Sequence, residues 1–334
     1  MSARFCPVSD DPSLRDGLNI LQESRPADLG PGGTPVVFEG SRPRPGFSIE
    51  ARPAGWLVKY ESPCDAFRAL GLILGHDGKF PEGFPLTQDR AFATVGMMWD
   101  LSRNAVLRVE AVKELFRAWA LMGYNAVQLY MEDVYALPGE EFFGYARGVY
   151  TPEELREIDA YGHALGLEVM PCIQTLGHLE QILQWPPYRG LKDVTGVLMV
   201  GEEATYRLIA KMLDTLTGCF RSRRIHIGMD EAHGVGTGAY LRKHGPRRPF
   251  DILNEHLRRV TALCRERGLR PMIWSDMYFR IGSKTNDYYD REAEIPAEVA
   301  SAISPEVDLV YWDYYHEDPG FYEEWIRRHR TMGK

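Results

Sequence analysis

The sequence predicts an α/β protein: a parallel (β/α)8 TIM-type barrel preceded by a small α+β module. From about residue 90 onward, short apolar runs alternate with helical patterns. Alternation of this kind indicates a parallel sheet whose crossovers are right-handed. We count about six strand–helix units, whereas a closed barrel needs eight. The sequence therefore allows two interpretations, a barrel whose last strands lie outside this chain or an open six-stranded sheet.

The small module is predicted to span residues 1–90 and to start with a leader rich in Pro, Gly, Ser and charge. The leader has one helical pattern, at residues 14–22. Ser62-Pro63-Cys64-Asp65 begins a helix that runs to Leu74, because Ser and Pro favour the first positions of a helix. A turn at Pro53-Ala54-Gly55 joins two of the predicted strands. The predicted strands are residues 36–38, 47–51 and 56–60.

The barrel is predicted to occupy residues 91–334. Its helices have clear start and stop signals, as in Thr151-Pro152-Glu153-Glu154, which combines an N-cap, a first-position Pro and two acids suited to the helix dipole. The predicted strands are residues 92–99, 126–131, 167–173, 224–229, 271–274 and 307–312. The predicted helices are residues 105–122, 151–165, 202–216, 252–267, 296–303 and 321–330.

Composition excludes several classes of function. The formal charge of −8 argues against a polyanionic partner, and no run of Lys or Arg indicates nucleic acid. No apolar run approaches the roughly 18 residues of a membrane span, and no signal peptide is visible, so we expect a cytoplasmic protein without a membrane partner. The five cysteines are scattered, which predicts reduced thiols, not a disulfide framework or a zinc site.

Two adjacent carboxylates, Asp230 and Glu231, follow the predicted strand at residues 224–229. In parallel α/β proteins, ligands bind at the carboxyl ends of the strands. Neighbouring residues of an extended strand point to opposite faces, so both side chains share a pocket only if the chain turns. Gly234 and Gly236 favour such a turn. The alternative is an acidic pair that begins a helix after a core strand.

The segment His226-Ile227-Gly228-Met229-Asp230-Glu231 resembles the His-x-Gly-Gly-Asp-Glu signature of glycoside hydrolase family 20, the β-N-acetylhexosaminidases. Met229 stands in place of the second Gly. The family has a complete barrel, so the resemblance favours the interpretation in which the last strands lie beyond residue 334. The small module resembles a reduced form of the accessory domain that often precedes the family's barrel.

Other predicted strand ends also resemble family motifs. Trp99-Asp100-Leu101-Ser102-Arg103 resembles Met-Leu-Asp-x-x-Arg, although Val95 stands where the family usually has a sugar-clamping Arg. We interpret Arg103 as an ion-pair partner. Glu132 and Asp133 lie where the family has an acidic pair, and they are interpreted either as groups that orient the site or as solvated loop charges.

The third strand ends in Gln174-Thr175-Leu176-Gly177-His178, which resembles the family's Asp-x-Pro-Gly-His with Gln174 in place of the Asp. His178 is therefore predicted to support the acid, and His233 is added as a second supporting residue. Aromatic side chains at two further strand ends suit the faces of a sugar, although such residues are also common in cores. The predicted substrate-binding residues are Trp274, Asp276, Trp312, Asp313, Tyr314 and Tyr315.

The resemblance implies an exo-acting β-N-acetylhexosaminidase that removes terminal β-linked GlcNAc or GalNAc from glycans and glycoconjugates. The family is substrate-assisted: the 2-acetamido oxygen is the nucleophile, an oxazolinium ion forms, and the configuration is retained. Asp230 would hold the acetamide N–H, and Glu231 would act as acid and then as base, with its pKa raised by a largely apolar site. No metal or organic cofactor is expected.

Two other functions stay open at this point. A metal-dependent barrel hydrolase would use His178, His226, Asp230 and His233, which would have to converge at metal-ligand distances. A non-catalytic carbohydrate-binding barrel is favoured if the last strands are truly absent. The choice between GlcNAc and GalNAc, the aglycone and the oligomeric state are not specified by these residues.

Overall fold

The computed structural model describes residues 3–103 and 105–332. The chain divides into two compact units. The first comprises Met1–Trp99, Leu107–Gln128 and Glu154–Val169. The second comprises Asp100–Val106, Leu129–Glu153 and Met170–Lys334, and it contains both carboxylates of the acidic pair.

The first part of the chain forms a five-stranded sheet in the order β1-β2-β4-β3-β5. The three predicted strands are confirmed as β2, β3 and β4, and both predicted helices are present as α1 and α2. The sequence pattern missed β1, a four-residue strand that contains Pro7, and β5, which is wholly polar. The elements are β1 (Phe5–Val8), α1 (Pro12–Ser24), β2 (Thr34–Glu39), β3 (Gly46–Arg52), β4 (Gly55–Tyr60), α2 (Pro63–Gly75) and β5 (Thr87–Asp89).

Helix α2 begins as the sequence predicted. Ser62 and Asp65 form a reciprocal capping box, which satisfies backbone N–H groups that have no partner inside the helix. The helix then buries Phe67, Leu70 and Ile73, whose spacing places them on one face.

Six strands form the second sheet in the order β13-β12-β11-β8-β7-β6, so neighbours in the sheet follow the order of the chain. The pairings of β11 with β8, of β11 with β12 and of β12 with β13 are parallel. The predicted parallel (β/α) barrel architecture with about six units is therefore confirmed. The strands are β6 (Gly96–Asp100), β7 (Ala126–Tyr130), β8 (Glu168–Cys172), β9 (Lys192–Val194), β10 (Val197–Leu198), β11 (Arg224–His226), β12 (Arg270–Trp274) and β13 (Asp308–Val310), of which β9 and β10 form a separate antiparallel pair.

The six predicted barrel helices are present, with ends that differ by a few residues. The sequence patterns missed the short helices α5, α7 and α9 and a 3-10 helix at Pro186–Leu191. Helix α8 packs on β12 and α6, and its buried residues include Phe250, Leu253 and Leu257. The helices are α3 (Val109–Met122), α4 (Pro152–Ala164), α5 (Glu180–Leu183), α6 (Glu203–Thr217), α7 (Ala239–His244), α8 (Pro249–Glu266), α9 (Asp276–Gly282), α10 (Ala297–Ser301) and α11 (Pro319–Thr331).

The five cysteines are all free thiols, and four of them are buried. Across residues 3–103 and 105–332, no helix combines the length and the apolar character that crossing a membrane requires.

Candidate active site

The chain turns sharply between β11 and the acidic pair. Gly228, Met229 and Glu231 all have positive φ, at 69°, 75° and 46°. A Cβ atom on Gly228 would lie 2.0 Å from Oε1 of Gln174 and 2.8 Å from the carbonyl oxygen of Ile173, so only glycine fits there. The turn therefore comes earlier than Gly234 and Gly236, where the sequence placed it. It ends β11 at His226 and brings the carboxyl groups of two adjacent residues together.

His178 joins the two carboxylates. Its Nε2 atom lies 3.0 Å from Oδ2 of Asp230 and 3.3 Å from Oε2 of Glu231. Burial alone would lower the pKa of the His178 imidazole, but the hydrogen bonds to Asp230 and Glu231 raise it to about 10. His178 is therefore a cation between two anions. The sequence predicted a supporting role for this residue, and that role stays a prediction.

Asp230 is buried, yet its pKa lies below the ordinary value for an aspartate. Burial opposes ionisation, and the hydrogen bonds from His178 and Gln174 more than offset it. Nε2 of Gln174 donates to Oδ1 of Asp230 at 2.8 Å. A second carboxylate in place of Gln174 would face Asp230 with the same charge, so here the amide is the better partner for an ionised Asp230.

Glu231 differs from the prediction. The sequence suggested that an apolar site raises its pKa, whereas the hydrogen bond from His178 lowers the pKa of Glu231 below its ordinary value. Burial raises this pKa by less than the hydrogen bond lowers it, because the side chain keeps 35% of its surface exposed. The other oxygen, Oε1, accepts a hydrogen bond of 3.4 Å from the hydroxyl of Tyr288, and that hydroxyl also contacts Nε2 of His233.

A second row of polar groups lies behind Asp230. Gln174 also donates to the hydroxyl oxygen of Tyr130 at 3.0 Å, and Tyr130 donates to Oε1 of Glu132 at 3.1 Å. Arg103 donates to the Tyr130 hydroxyl oxygen at 3.2 Å and forms the predicted ion pair, with Asp100 at 2.9 Å. Burial raises the pKa of Glu132.

Asp133 is buried and pairs with Arg147 at 2.8 Å. Like Glu132, it is therefore held by protein groups, and neither side chain is a solvated loop charge.

Asp276 lies directly beneath the turn. Its Oδ2 accepts the backbone N–H of Glu231 at 3.0 Å, and burial together with the charge of Asp230 raises its pKa to about 7. Asp313 is also occupied by protein donors, since it accepts hydrogen bonds from the Tyr311 hydroxyl and from Nδ1 of His316. Both carboxylates are therefore hydrogen-bonded to groups of the protein, and direct contact of either with a sugar stays a prediction.

The predicted aromatic residues have different environments. Trp274 is half-buried, with its ring centroid 4.4 Å from that of His226. Trp312 is half-buried between Tyr288, at 5.4 Å, and Tyr314, at 5.5 Å. Tyr314 and Tyr315 are 81% and 72% exposed. Their roles toward a sugar stay predictions.

The geometry does not support the metal-hydrolase alternative. His226 is fully buried, its Nδ1 accepts the N–H of Gly228 at 3.1 Å, and burial lowers its pKa to about 4. No group of three or more His, Cys, Asp or Glu residues within residues 3–103 and 105–332 is arranged to hold a metal ion.

Sequence reasoning missed Tyr130 and Tyr288. Tyr130 ends an apolar strand and resembles a core residue, while Tyr288 lies in an irregular segment after α9, where only the Tyr288-Tyr289 doublet distinguishes it. His256 was also missed. Its Nε2 donates to the carbonyl of Thr175 at 2.9 Å, and so fixes the backbone between Gln174 and His178.

Comparisons with known proteins agree with the resemblance seen in the sequence. The family model that matches is the glycosyl hydrolase family 20 catalytic domain, over residues 92–297. Hexosaminidase D of Homo sapiens is 26% identical over 221 residues, which cover 64% of this chain and 43% of that protein. Hexosaminidase D of Bos taurus is 26% identical over 223 residues, covering 64% of this chain and 60% of that protein. This chain thus spans only part of the length of the relatives it matches.

Two solved structures show the same fold. The GH20 β-N-acetylhexosaminidase from Streptomyces coelicolor superimposes with a TM-score of 0.69 and 19% identity, covering 98% of this chain and 69% of that chain. The GH20 exo-β-N-acetylglucosaminidase from Vibrio harveyi gives a TM-score of 0.73 and 16% identity, covering 99% of this chain and 56% of that chain. At these identities the likeness confirms the predicted barrel architecture.

Proposed function

This chain belongs to glycosyl hydrolase family 20, and we propose on that premise that it carries the acid–base machinery of an exo-acting β-N-acetylhexosaminidase. The substrate would be a terminal β-linked GlcNAc or GalNAc on a glycan or glycoconjugate. The observation that carries the proposal is the placement of the Asp230 and Glu231 carboxylates on one side of a sharp turn, with His178 between them.

Asp230 suits the stabilisation of a positive charge. Its pKa is lowered although it is buried, so it is ionised at neutral pH. Gln174 and His178 fix its orientation before the substrate arrives, and preorganised charge of this kind is worth most where water is excluded. It would accept the acetamide N–H of the substrate and oppose the positive charge of the oxazolinium ion.

Glu231 suits the exchange of protons. As the acetamide oxygen forms a bond to the anomeric carbon, the bond from that carbon to the leaving oxygen breaks, and Glu231 donates its proton to this oxygen. In the second step a water molecule attacks the same carbon, the oxazolinium ring opens, and Glu231 takes the proton of that water. Two displacements at one carbon retain the configuration.

The lowered pKa of Glu231 has a consequence for the working pH. The acid must carry a proton at the start of the cycle, so the rate falls as pH rises through this pKa. We therefore expect an acidic optimum for kcat/KM.

The proposal is tested by comparing two substrates that differ only at C2. If the acetamide is the nucleophile, the purified protein cleaves a 4-nitrophenyl β-N-acetylglucosaminide far faster than the matching β-glucoside. A thiazoline that mimics the bicyclic intermediate should inhibit well below the Michaelis constant. Equal rates on both substrates would exclude the mechanism. Binding of the sugar without any turnover would favour the non-catalytic carbohydrate-binding barrel.

A further inference from the structure

Tyr288 lies between the acid Glu231 and the exposed imidazole of His233. Its hydroxyl is 3.4 Å from Oε1 of Glu231 and in hydrogen-bond contact with Nε2 of His233. The opposite oxygen of Glu231 faces His178 at 3.3 Å. We propose that Tyr288, held by His233, is a positioning residue that keeps the Glu231 carboxyl aligned in both of its protonation states. This inference rests on the proposed role of Glu231.

The segment that carries Tyr288 is organised by its own hydrogen bonds. The Ser283 hydroxyl accepts the backbone N–H groups of Thr285, at 3.1 Å, and Asp287, at 3.2 Å, and it donates to Asp290 at 2.7 Å. These contacts hold the loop together around the Ser283 side chain. The position of Tyr288 therefore does not depend on a helix or a strand.

The Tyr288 ring is fixed from two further sides. The guanidinium carbon of Arg280 lies 5.2 Å from its ring centroid, within the range of a cation–π contact. The ring of Trp312 is 5.4 Å away on another side. A hydroxyl held in this way costs little additional entropy when it orients a neighbouring carboxyl group. The 3.4 Å distance to Glu231 is long, and catalytic hydrogen bonds often tighten only in the substrate complex.

Tyr288 has a single hydroxyl proton and can donate to only one of its two neighbours. When Glu231 is ionised, the stronger arrangement has Tyr288 donating to the carboxylate, because a hydrogen bond to a charged acceptor is the stronger one. His233 must then donate from Nε2 to the Tyr288 oxygen. The neutral imidazole therefore has its hydrogen on Nε2 and an unprotonated Nδ1.

When Glu231 is protonated, both hydrogen bonds reverse. Until the leaving oxygen takes up the proton, the carboxyl O–H donates to the Tyr288 oxygen, Tyr288 donates to Nε2 of His233, and His233 has its hydrogen on Nδ1. The two states differ by one proton, which enters at Nδ1 while the two hydrogens between His233 and Glu231 each move one position. Glu231 thus has a partner as an acid and as a base, as a group that alternates between these roles requires.

The charges around this chain of hydrogen bonds come from several elements. Glu231 faces His178, Asp230 and His233. His233 is also near Arg280, and burial together with that guanidinium lowers the pKa of His233. Tyr288 also faces Asp276. Because His233 and Glu231 interact through one hydroxyl, they titrate as a coupled pair that shares the added proton.

The first test is the tautomer of His233, measured by 15N NMR on the protein labelled at histidine. At pH 7 to 8, where Glu231 is ionised, we expect the Nε2–H form. Tyr288→Phe should lower the Nε2–H fraction toward that of a free neutral imidazole, while Tyr289→Phe should leave it unchanged, since the Tyr289 hydroxyl donates to the backbone oxygen of Trp312 at 3.0 Å. An Nδ1–H tautomer in the unmodified protein would overturn the proposal.

The second test uses the leaving group. Tyr288→Phe should lower kcat on an aglycone that needs protonation by on the order of 10-fold, a part of the roughly 10²–10⁴ that general acid–base catalysis contributes. On an activated aryl aglycone the loss in the first step should be smaller. Tyr289→Phe should change both substrates by a similar factor. Equal losses for Tyr288→Phe on both substrates would reduce Tyr288 to a structural residue and overturn the proposal.

The two tests distinguish failure of this inference from failure of the proposed function. If the unmodified protein cleaves neither hexosaminide, the proposed function fails, while the tautomer of His233 still reports whether Tyr288 donates to Glu231. If the unmodified protein is active and Tyr288→Phe matches it on both aglycones, only this inference fails.

Discussion

Asp230 and Glu231 are neighbours in the chain, but the protein surrounds them differently. Asp230 is buried and held by Gln174 and His178, which follow β8, with Tyr130 from the end of β7 behind them. Glu231 keeps 35% of its side chain exposed, and its second partner, Tyr288, comes from the loop after α9. Residues at the ends of β7 and β8 therefore orient Asp230, the proposed partner of the oxazolinium charge, and a loop helps to orient Glu231, the proposed acid and base.

This difference predicts where substitutions have the largest effects. Neutralising a buried carboxylate, or removing its hydrogen-bond partners, changes a low-dielectric region, where electrostatic interactions are strong. A half-exposed carboxylate is partly screened by water. We expect changes on the Asp230 side to affect every substrate, and changes on the Glu231 side to depend on the leaving group and on pH.

The largest effect is expected for Asp230→Asn. The amide keeps the shape of the side chain but removes the charge that opposes the oxazolinium ion. We expect kcat to fall by about 10²–10³-fold with a small change in KM, the range seen when one preorganised electrostatic group is removed. Steady-state kinetics on an N-acetylglucosaminide measure this.

Asp214→Asn is the matched control, because Asp214 is 64% exposed and pairs with Arg267 on the outer helices at 2.7 Å. It should leave kcat unchanged. A large rise in KM with unchanged kcat for Asp230→Asn would instead assign Asp230 to ground-state binding of the substrate.

The next largest effect is expected for Glu231→Gln. On a poorly activated hexosaminide the loss should be on the order of 10²-fold or more, because the leaving oxygen is no longer protonated. A substrate whose aryl aglycone has a low pKa should lose less rate in the first step. Pre-steady-state measurement of aglycone release separates this step from the second. The same loss on both substrates would contradict the assignment of Glu231 as the acid.

A smaller effect, on pH dependence, is expected for His178→Gln. The pKa of His178 is about 10, so the imidazole stays charged while the two carboxylates titrate. Its hydrogen bonds lower the pKa of Glu231 and of Asp230. Removing this cation raises both values, so both limbs of the kcat/KM profile should move to higher pH.

The sign of that shift is the decisive result. With the proposed roles, the acid limb follows Asp230, which must be ionised, and the alkaline limb follows Glu231, which must be protonated. A variant whose alkaline limb stays in place or moves to lower pH would show that His178 does not set the pKa of the acid. Trp274→Phe offers a control, since it changes a predicted substrate-binding residue without removing a charge.

The comparison of the two carboxylates also explains what the sequence could and could not predict. Strand ends are visible in a sequence because an apolar run stops there, and neighbouring strand ends meet at one edge of a parallel sheet. His178 and Glu132 were predicted as supporting residues from strand ends together with the resemblance to the family's motifs, whereas Gln174 was noted only as a replacement of the family's Asp. Only the structure shows that the amide of Gln174 donates to Asp230, because a substitution in a motif does not reveal its partner.

The surroundings of Glu231 could not be predicted in the same way. Tyr288 lies in a loop, where no periodicity indicates where the chain returns. The error in the pKa of Glu231 has a similar origin. The apolar residues around the motif were visible, whereas the hydrogen bond from His178 depends on the left-handed turn at Met229 and Glu231. Met229, which is not a glycine, gave no signal for that turn.

The smallest effect on turnover is expected for Tyr206→Phe, which acts on the Asp230 side from the outer helices. The hydroxyl of Tyr206 bonds to Nδ1 of His256 at 3.2 Å, and Nε2 of His256 donates to the carbonyl of Thr175 at 2.9 Å. Burial lowers the pKa of His256 to about 4, so the imidazole is neutral and Nδ1 is the acceptor. The substitution keeps the ring under the Arg259 guanidinium but leaves a buried acceptor without its donor. Such a group costs about 1–3 kcal/mol of unfolding free energy, which denaturant titration measures.

Tyr161→Phe is the control, because the Tyr161 hydroxyl accepts from Arg117 at 2.7 Å in a partly exposed position and should cost less. Since Thr175 lies between Gln174 and His178, kcat should fall only a few-fold and equally on both classes of aglycone. A loss confined to poor leaving groups would link Tyr206 to Glu231 and would contradict the separation of the two carboxylates into a sheet-held and a loop-held group.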